Sequence, residues 1–369
     1  VGEKATALKA FFASWQPEAA HDNALLQPYM DDLLSSANLM FKVEGESVEQ
    51  DEEIRKAWDA YKSQQASDTA QGICLVTGKK APVARLHPNI KGLYGAQSSG
   101  AALVSFNALA YESYEHKQGD NAPVSEYAAF AYTTALNTLL ASERNYLRIG
   151  EMTVVFWAEG ADEDNEDVFG DVFSSENKII EDDDLQGFFE KVSQGQAFSV
   201  KDYLVKPGNK FYILGLSPNA ARISVRFFFV DTFGDFIRNY EQYFREFEII
   251  KPSFDNRVNV SLWQILQETA NKNSKDKAAS PLLAGAVLRS ILSGIKYPEA
   301  LYQNTILRAK ADQDNPDKNI TKISRIKAAI IKACLLRNYK NNEEVVTVAL
   351  NEECKKVPYV LGRLFAVLE

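Results

Sequence analysis

The stretch Met152-Thr-Val-Val-Phe-Trp157 decides the fold. Five of its six residues are apolar and several are β-branched or aromatic, which predicts a buried strand. Two further strands are predicted over 211–216 and 223–230, and the turn residues Ser217-Pro-Asn-Ala220 are expected to join them as a hairpin. The centre of the chain therefore predicts an antiparallel sheet.

Shorter strands are predicted before this sheet. A strand over 73–76, the turn Thr77-Gly-Lys-Lys80 and a return strand over 82–86 form one candidate hairpin. Another short strand is predicted over 41–48, within an otherwise helical segment that spans residues 1–70. The first part of the chain is therefore expected to mix short strands with helices.

Helical patterns flank the strands and dominate the second half of the chain. Pro123 precedes a helix predicted over 124–141, and another is predicted over 233–249. Beyond Pro252 every predicted element is a helix, over the segments 259–270, 281–293, 299–311, 320–338 and 343–350. The fold class predicted is α+β, with a mixed N-terminal domain over 1–251 and an all-helical C-terminal domain over 256–369.

Composition excludes several classes of protein. With 46% hydrophobic and 25% charged residues among 369, the chain is not disordered, collagen-like or a disulfide scaffold. Its three cysteines, Cys74, Cys334 and Cys354, lie far apart and form no Cys-x-x-Cys metal motif, which favours a reducing compartment. No apolar run reaches the roughly 20 residues of a membrane helix, and no signal-peptide pattern opens the chain. A cytoplasmic location is expected.

Charge is distributed very unevenly. The net charge is -9, yet residues 159–184 alone hold twelve acids and one lysine, so the remainder is slightly positive. That acidic segment is expected to form a mostly exposed loop, because so many like charges do not pack together. Residues 270–340 carry fourteen bases and five acids, which allows local binding of a polyanion.

Catalytic motifs are not evident. The three histidines, His21, His87 and His116, form no His-x-x-x-His zinc pattern. The run Gly95-Ala-Gln-Ser-Ser-Gly100 has the glycine spacing of a phosphate-binding loop, but Ala101-Ala102 replace the Lys and Ser/Thr that the motif needs. Glu115-His-Lys117 supplies one nuclease-like element without an acidic partner upstream. The chain is therefore expected to be no enzyme, with no cofactor or metal.

The segment from Lys79 to Asn107 carries the features of a nucleic-acid contact. Its basic residues are grouped around glycines, and they are Lys79, Lys80, Arg85 and Lys91. Its other candidate DNA-binding residues are Gly95, Gln97, Ser98, Ser99 and Asn107. Lysine and arginine bind phosphates, whereas glutamine and asparagine hydrogen-bond base edges. The alternative is a tight surface loop that needs glycine for its backbone angles.

Near the C-terminus, basic residues recur on one side of a predicted helix: Lys318, Lys322, Arg325, Lys332 and Lys340. Apolar residues project to the opposite side: Ile323, Ile326, Ile330 and Cys334. Lys322, Arg325 and Lys332 are therefore predicted to line a groove for single-stranded DNA. The alternative is an ordinary amphipathic helix with a solvated face.

Three runs carry a resemblance to a known family. They cover 72–107, beginning Gly72-Ile-Cys-Leu-Val-Thr-Gly-Lys-Lys80, then 121–137 and 153–159. In this order and at this spacing they resemble the large-subunit family of type I-C CRISPR Cascade surveillance complexes. Relative to that family, segments at both ends of the protein are expected to be missing from this chain.

The resemblance implies a binding subunit of an antiviral complex. Family large subunits recognise the protospacer-adjacent motif (PAM) in double-stranded target DNA, hold the displaced single strand and help recruit the helicase-nuclease, beside CRISPR RNA-bound Cascade subunits. Guide pairing reads the rest of the target. The alternatives from other classes are a metal-dependent nuclease and a purely structural scaffold.

Overall fold

A computed structural model describes residues 2–35, 39–65, 71–174, 185–251, 260–272, 280–315, 321–339 and 344–368. Contacts between residues divide the chain into two units, one of residues 1–85 with 119–126 and the other of residues 86–118 with 127–369. The boundary predicted at 251–256 lies almost wholly outside the described residues, so the domains 1–251 and 256–369 stay a prediction.

Short helices and two-stranded hairpins build the first unit. Its elements are α1 (Glu3–Ser14), α2 (Met30–Leu34), β1 (Lys42–Val43), β2 (Glu46–Ser47), α3 (Glu52–Gln65), β3 (Gln71–Ile73) and β4 (Lys80–Pro82). The single strand predicted over 41–48 is wrong, since β1 and β2 form a hairpin there. Glu44 and Gly45 have φ of 53° and 86°, and this left-handed pair reverses the chain.

The second unit begins with a helix and a sheet. Its first elements are α4 (Glu126–Ala141, whose first residue belongs to the first unit), β5 (Tyr146–Ile149), β6 (Met152–Ala158), α5 (Glu163–Phe173), α6 (Leu185–Ser193), β7 (Phe198–Val200), β8 (Tyr203–Val205), β9 (Lys210–Asn219) and β10 (Arg222–Thr232). Helices follow: α7 (Phe233–Phe247), α8 (Leu262–Thr269), α9 (Pro281–Ser293), α10 (Glu299–Ala311), α11 (Arg325–Asn338) and α12 (Val357–Leu368). The predicted mixed α+β class with a helical C-terminal region is confirmed.

Four strands form the main sheet, in the order β10-β9-β6-β5, with every neighbouring pair antiparallel. All three predicted strands are present. The turn is tighter than predicted, because Asn219 already pairs with Arg222 and the chain reverses at Ala220, whose φ is 54°. A bulge between Val225 and Phe227 shifts the register of β10, so neighbouring side chains there no longer alternate strictly between faces.

One face of this sheet forms the main hydrophobic core. Phe156 and Phe211 of the sheet are fully buried in the same cluster as Ile237 of α7, Val287 of α9 and Ile330 of α11. Helices on both sides of residues 252–259 therefore share one core with the strands. The helix predicted over 343–350 is wrong for its described residues, 344–350, and α12 was not predicted.

The acidic segment contains a helix. Residues 163–173 of the predicted exposed loop form α5, and residues 175–184 lie outside the described part of the chain. The buried Glu166 carboxylate accepts hydrogen bonds from the Ala158 amide (3.0 Å) and the Asn145 side chain (2.7 Å). Acids in a first turn are also favoured by the helix dipole. Counting like charges missed both effects, so the loop prediction is wrong for this part.

Candidate nucleic-acid interface

In the first unit, the hairpin of β3 and β4 carries two of the predicted basic residues. Its backbone turn is closed by hydrogen bonds from Gly78 N–H to Cys74 C=O (2.8 Å) and from Cys74 N–H to Lys79 C=O (2.9 Å). Both strands begin earlier than predicted, and this places Lys79 and Lys80 at the exposed end of the turn. The side chains of Lys79 and Lys80 are therefore exposed to solvent, while backbone hydrogen bonds fix the geometry of the turn that carries them.

The same turn exposes two apolar side chains that the sequence analysis did not select. Leu75 and Val76 are each 68% exposed, directly before the turn residues Thr77 and Gly78. Some DNA-binding proteins insert apolar side chains such as leucine between base steps, while lysines bind the phosphates. Their position next to Lys79 and Lys80 in the sequence was the signal that could have identified them as candidate DNA-contacting residues.

Cys74 fastens this turn to the segment 123–125. The Ser125 N–H donates to the Cys74 sulfur at 3.2 Å, and the Leu75 N–H donates to the Pro123 carbonyl at 2.9 Å. Burial by itself raises the pKa of the Cys74 thiol, but hydrogen bonds from Ser125 and Thr77 outweigh burial and lower the pKa to about 6. Cys74 is thus a buried anchor whose charged form the hairpin stabilises.

In the second unit, the glycine-rich loop has fixed ends. Ile90 and Ala101 are fully buried and exchange both backbone hydrogen bonds, each at 2.9 Å. Gly100 has φ of 88°, and a Cβ there would lie 2.8 Å from the Ile90 carbonyl oxygen. Glycine is therefore required at position 100 by both backbone angle and space.

Asn137 of α4 holds the start of this loop. Its side-chain oxygen accepts the Lys91 N–H at 2.8 Å, and its amide donates to the Asn89 carbonyl at 3.3 Å. Asn89 in turn donates to the Ser99 carbonyl at 3.2 Å, which ties the two sides of the loop together. The loop is consequently an ordered surface, with the side chains of Lys91 and Gln97 exposed.

The remaining predicted loop residues have different surroundings. Ser98 and Ser99 are exposed, as is Gly95, whose φ is 78°. Asn107 is already engaged, because its side-chain oxygen accepts a hydrogen bond from Arg222 at 2.6 Å. Arg85 is exposed and belongs to the first unit.

Tyr94 is a loop residue that the sequence analysis missed. It is half-exposed, and the guanidinium carbon of Arg148 lies 2.9 Å from the centre of its ring. An aromatic residue between Gly92 and Gly95 was the signal that would have found it. The pair adds a cation and a ring beside the exposed Lys91 and Gln97 positions of the same unit, both useful for contacting nucleotides.

The basic side predicted on α11 is only partly exposed. Lys332 is 5% exposed, and its Nζ donates to the carbonyls of Glu246 (2.9 Å) and Arg245 (3.2 Å) at the end of α7. Burial lowers the pKa of Lys332. Its predicted exposure is wrong, because a helical projection treats every lysine as solvated while this one caps a neighbouring helix.

The other basic residues predicted on this side of the helix differ in exposure. Lys322 and Arg325 are half-buried, whereas Lys318 and Lys340 lie outside the described residues. On the predicted apolar side, Ile330 is fully buried but Ile323 is 56% exposed. Ile323 precedes the start of α11 at Arg325, so the helical spacing on which its burial was predicted does not apply.

Lys327, which the sequence analysis did not select, is fully buried in the same helix. Its Nζ lies 2.7 Å from the Asp312 carboxylate and donates to the Thr321 and Lys322 carbonyls. This set of contacts binds α11 to the end of α10. Positive charge in the C-terminal region therefore serves the fold as well as the surface.

Acidic residues at and just before the start of α5 form ion pairs within the fold. Arg144 pairs with Glu163 and, at 2.7 Å, with Asp167, while Asp162 pairs with Lys206 at 3.0 Å. Across the residues that the structure describes, no group of three His, Cys, Asp or Glu side chains is placed to hold a metal ion.

Comparison with known protein families identifies the chain as a CRISPR-associated protein. The chain matches a model of CRISPR-associated proteins, and the match extends over residues 1–369. The chain therefore belongs to the CRISPR-associated protein family Cas_Csd1. This agrees with the resemblance to a Cascade large-subunit family. None of the curated proteins compared with the chain matches it. Among the helices that the structure describes, none combines the length and the apolar character that a membrane span requires.

Proposed function

We propose that the chain is the non-catalytic large subunit of a type I-C RNA-guided surveillance complex. In this role it recognises the PAM in duplex DNA, holds the target during strand opening and helps recruit the helicase-nuclease. Membership of the Cas_Csd1 family supports a part in CRISPR defence. The runs at 72–107, 121–137 and 153–159 support this particular subunit by resemblance.

The ordered loop around Lys91 and Gln97 carries the proposal. A loop that reads DNA must present its side chains without collapsing onto the protein, and Asn137 and the Ile90–Ala101 pair provide that order. Lys91 is suited to a phosphate, which gives affinity without sequence preference. Gln97 is suited to hydrogen-bonding a base edge, and such a contact gives preference for one DNA sequence over another.

The hairpin of the first unit supplies a second proposed contact. Lys79 and Lys80 are suited to phosphates, and the exposed Leu75 and Val76 are suited to packing against a base step. Apolar side chains inserted between base steps unstack them, which would assist opening of the duplex. This contact is proposed for the hairpin by itself, independently of the loop.

Two other functions remain as alternatives. A metal-dependent nuclease would need carboxylates that converge on an ion, whereas Glu163, Asp167 and Asp162 are paired with basic side chains. A purely structural scaffold would not need a surface loop of fixed geometry. The contacts that order the loop while leaving Lys91 and Gln97 exposed support the DNA-binding function.

The test compares substitutions in the assembled complex bound to duplexes with matched or altered PAM sequences. Gln97→Ala should weaken binding to the matched duplex by roughly 1–3 kcal/mol and reduce the preference for the matched PAM, because a base-edge contact is lost. Lys91→Ala should weaken all duplexes alike and reduce the salt slope by about 1. Lys310→Ala, an exposed lysine of α10, is the control and should change neither quantity.

The alternatives give different results. Unchanged affinity and preference in both loop variants would remove the loop from DNA recognition and favour the scaffold. DNA cleavage by the purified chain that requires Mg²⁺ or Mn²⁺, and that is lost on substitution of Glu115 or Glu163, would establish the nuclease instead.

A further inference from the structure

The second face of the main sheet is only partly covered. Near one end, α4 and the loop that begins at Ile90 pack on Val155 and Leu216. Further along the same face, Phe228 is 52% exposed and its neighbour Val230 is similarly exposed. The register places them in cross-strand rows, Val155–Leu214–Phe228 and Trp157–Tyr212–Val230, so one continuous apolar surface runs out from beneath α4.

A large cavity opens between α4 and this uncovered surface. Its volume is about 1040 Å³, and all of its lining residues belong to the second unit. Leu136 and Leu139 of α4 line one side, while Trp157, Leu214 and Phe228 line the sheet side. This cavity is an open apolar groove, and exposed apolar surfaces of this size are typical of sites that bind an apolar partner.

One end of the groove is acidic. Its charged lining residues are Arg144, Glu163 and Glu166, so carboxylates outnumber the cation. Among the described residues, Arg144 is the single cation that both Glu163 and Asp167 contact, and the Glu163 side chain is 69% exposed, so the Glu163 carboxylate can accept a second cation. The occupant that fits this end therefore carries positive charge.

These features disfavour a nucleic acid as the occupant. Phosphates would meet the excess of carboxylates at the Glu163 end. The aromatic rings are also used within the protein, because Trp157 stacks on Tyr212 with planes 4° apart and on Phe228 with planes 25° apart. Base-binding sheets offer free ring faces to the bases.

We propose that this groove docks an amphipathic α-helix from another protein subunit of the assembly. The apolar side of that helix packs on Trp157 and Phe228, and a lysine or arginine near its end pairs with Glu163. An antiparallel sheet that leaves one face to solvent normally has polar residues on that face, whereas this face carries Trp157, Leu214 and Phe228, and α4 covers only half of it. A second helix beside α4, at the usual 8–10 Å between axes, completes the layer. The proposal concerns a protein contact and goes beyond the DNA-binding function proposed above.

Site-specific photocrosslinking tests the identity of the occupant. A photoreactive phenylalanine analogue is placed at Phe228 in the assembled complex, and crosslinked peptides are mapped by mass spectrometry. The expected product joins this chain to a segment of another subunit that has an apolar side and a Lys or Arg. Tyr114, which is 94% exposed in the same unit, is the control position. Crosslinks to nucleic acid, to a second copy of this chain, or at no greater yield than from Tyr114 would overturn the proposal.

Substitutions test the two chemical features separately. Phe228→Asp should weaken incorporation of the chain into the complex by about tenfold or more, as expected for loss of an aromatic anchor. Glu163→Gln should weaken it by severalfold and reduce its salt dependence. Tyr114→Asp should have no effect, and thermal melts establish that each variant is folded. If both groove variants assemble with wild-type affinity, the groove is not a docking site.

DNA recognition is measured in the same samples once assembly is saturated. Normal PAM preference in the groove variants is expected, since Gln97 and Lys91 are untouched. Failure of the docking proposal would thus appear as normal assembly, whereas failure of the proposed function would appear as unaltered DNA binding by the Gln97→Ala complex.

Discussion

Basic residues serve opposite purposes in two regions of the second unit. In the loop, the backbone of Lys91 is held by Asn137 while its side chain extends into water. In α11, Lys327 and Lys332 turn inward and are satisfied by Asp312 and by backbone carbonyls. Local charge density is higher around α11, yet the loop offers the more accessible cation.

The difference follows from what surrounds each backbone. A loop with fixed ends and glycine turns satisfies its own polar groups, so its side chains are left for a ligand. A helix in a core of several helices has only a narrow solvated side, and long lysine stems reach past it to cap neighbouring helices. A basic segment therefore marks a polyanion site only when its backbone geometry keeps the charges outside.

The largest effect is expected from Lys327→Met. Within the described residues, the substitution leaves the buried Asp312 carboxylate with Arg308 alone, 3.5 Å away, and removes the donor to two backbone carbonyls, which should destabilise the protein by about 3 kcal/mol. Lys310→Met, at an exposed position of α10, should change stability by less than about 0.5 kcal/mol. Urea unfolding of both variants measures the contrast. If both variants lost the same small amount of unfolding free energy, the buried Lys327 would not contribute to the stability of α11.

A smaller effect is expected from Gly100→Ala in the loop. The new Cβ meets the Ile90 carbonyl oxygen and the backbone has φ of 88°, so a cost of about 1–3 kcal/mol is expected. Gly78→Ala in the hairpin also has positive φ, at 68°, but open space around the Cβ, and should cost less. If the two changes cost the same in urea unfolding, close packing does not order the loop.

The last effect concerns the anchor of the hairpin and, unlike the other two, depends on pH. The folded-state pKa of Cys74 is lowered from 9.0 to about 6, so its thiolate stabilises the fold fully above pH 9 and less as pH falls toward 6. The loss of unfolding free energy in Cys74→Ala should therefore grow between pH 6 and 9. Cys334→Ala is the control, since burial raises the pKa of that thiol to about 12 and its effect should be constant below about pH 8, where the thiol is protonated in both the folded and the unfolded state. A pH-independent effect of Cys74→Ala would show that the hairpin does not stabilise the thiolate.

Much of the secondary structure was predictable from local pattern. The strand at Met152 and residues 211–216 of β9 are continuous apolar runs, and such runs indicate burial directly. In β10 apolar residues alternate with polar ones, which indicates a strand with one solvated face; the polar ones are Arg222, Ser224 and Arg226. The acidic helix α5 was missed because its buried Glu166 depends on Asn145, a partner distant in sequence. Like charge predicts exposure only where no such partner exists.

The candidate interface was predictable in part. Glycine positions with positive φ and neighbouring lysines located the loop and the hairpin correctly as exposed turns. The inward direction of Lys332 was not predictable, since it depends on where the end of α7 lies. Periodicity identifies the sides of a helix, and only the packing of the other helices decides which side faces water.

The helix α4 has a mechanical consequence. Neighbouring residues of this one rigid element serve two surfaces, because Leu136 lines the apolar groove while Asn137 holds the Lys91 backbone. A shift of α4 of even a fraction of an ångström would be felt at both, since their positions on the helix are one residue apart. An occupant of the groove that displaced Leu136 would therefore also displace Asn137, and with it the backbone of Lys91.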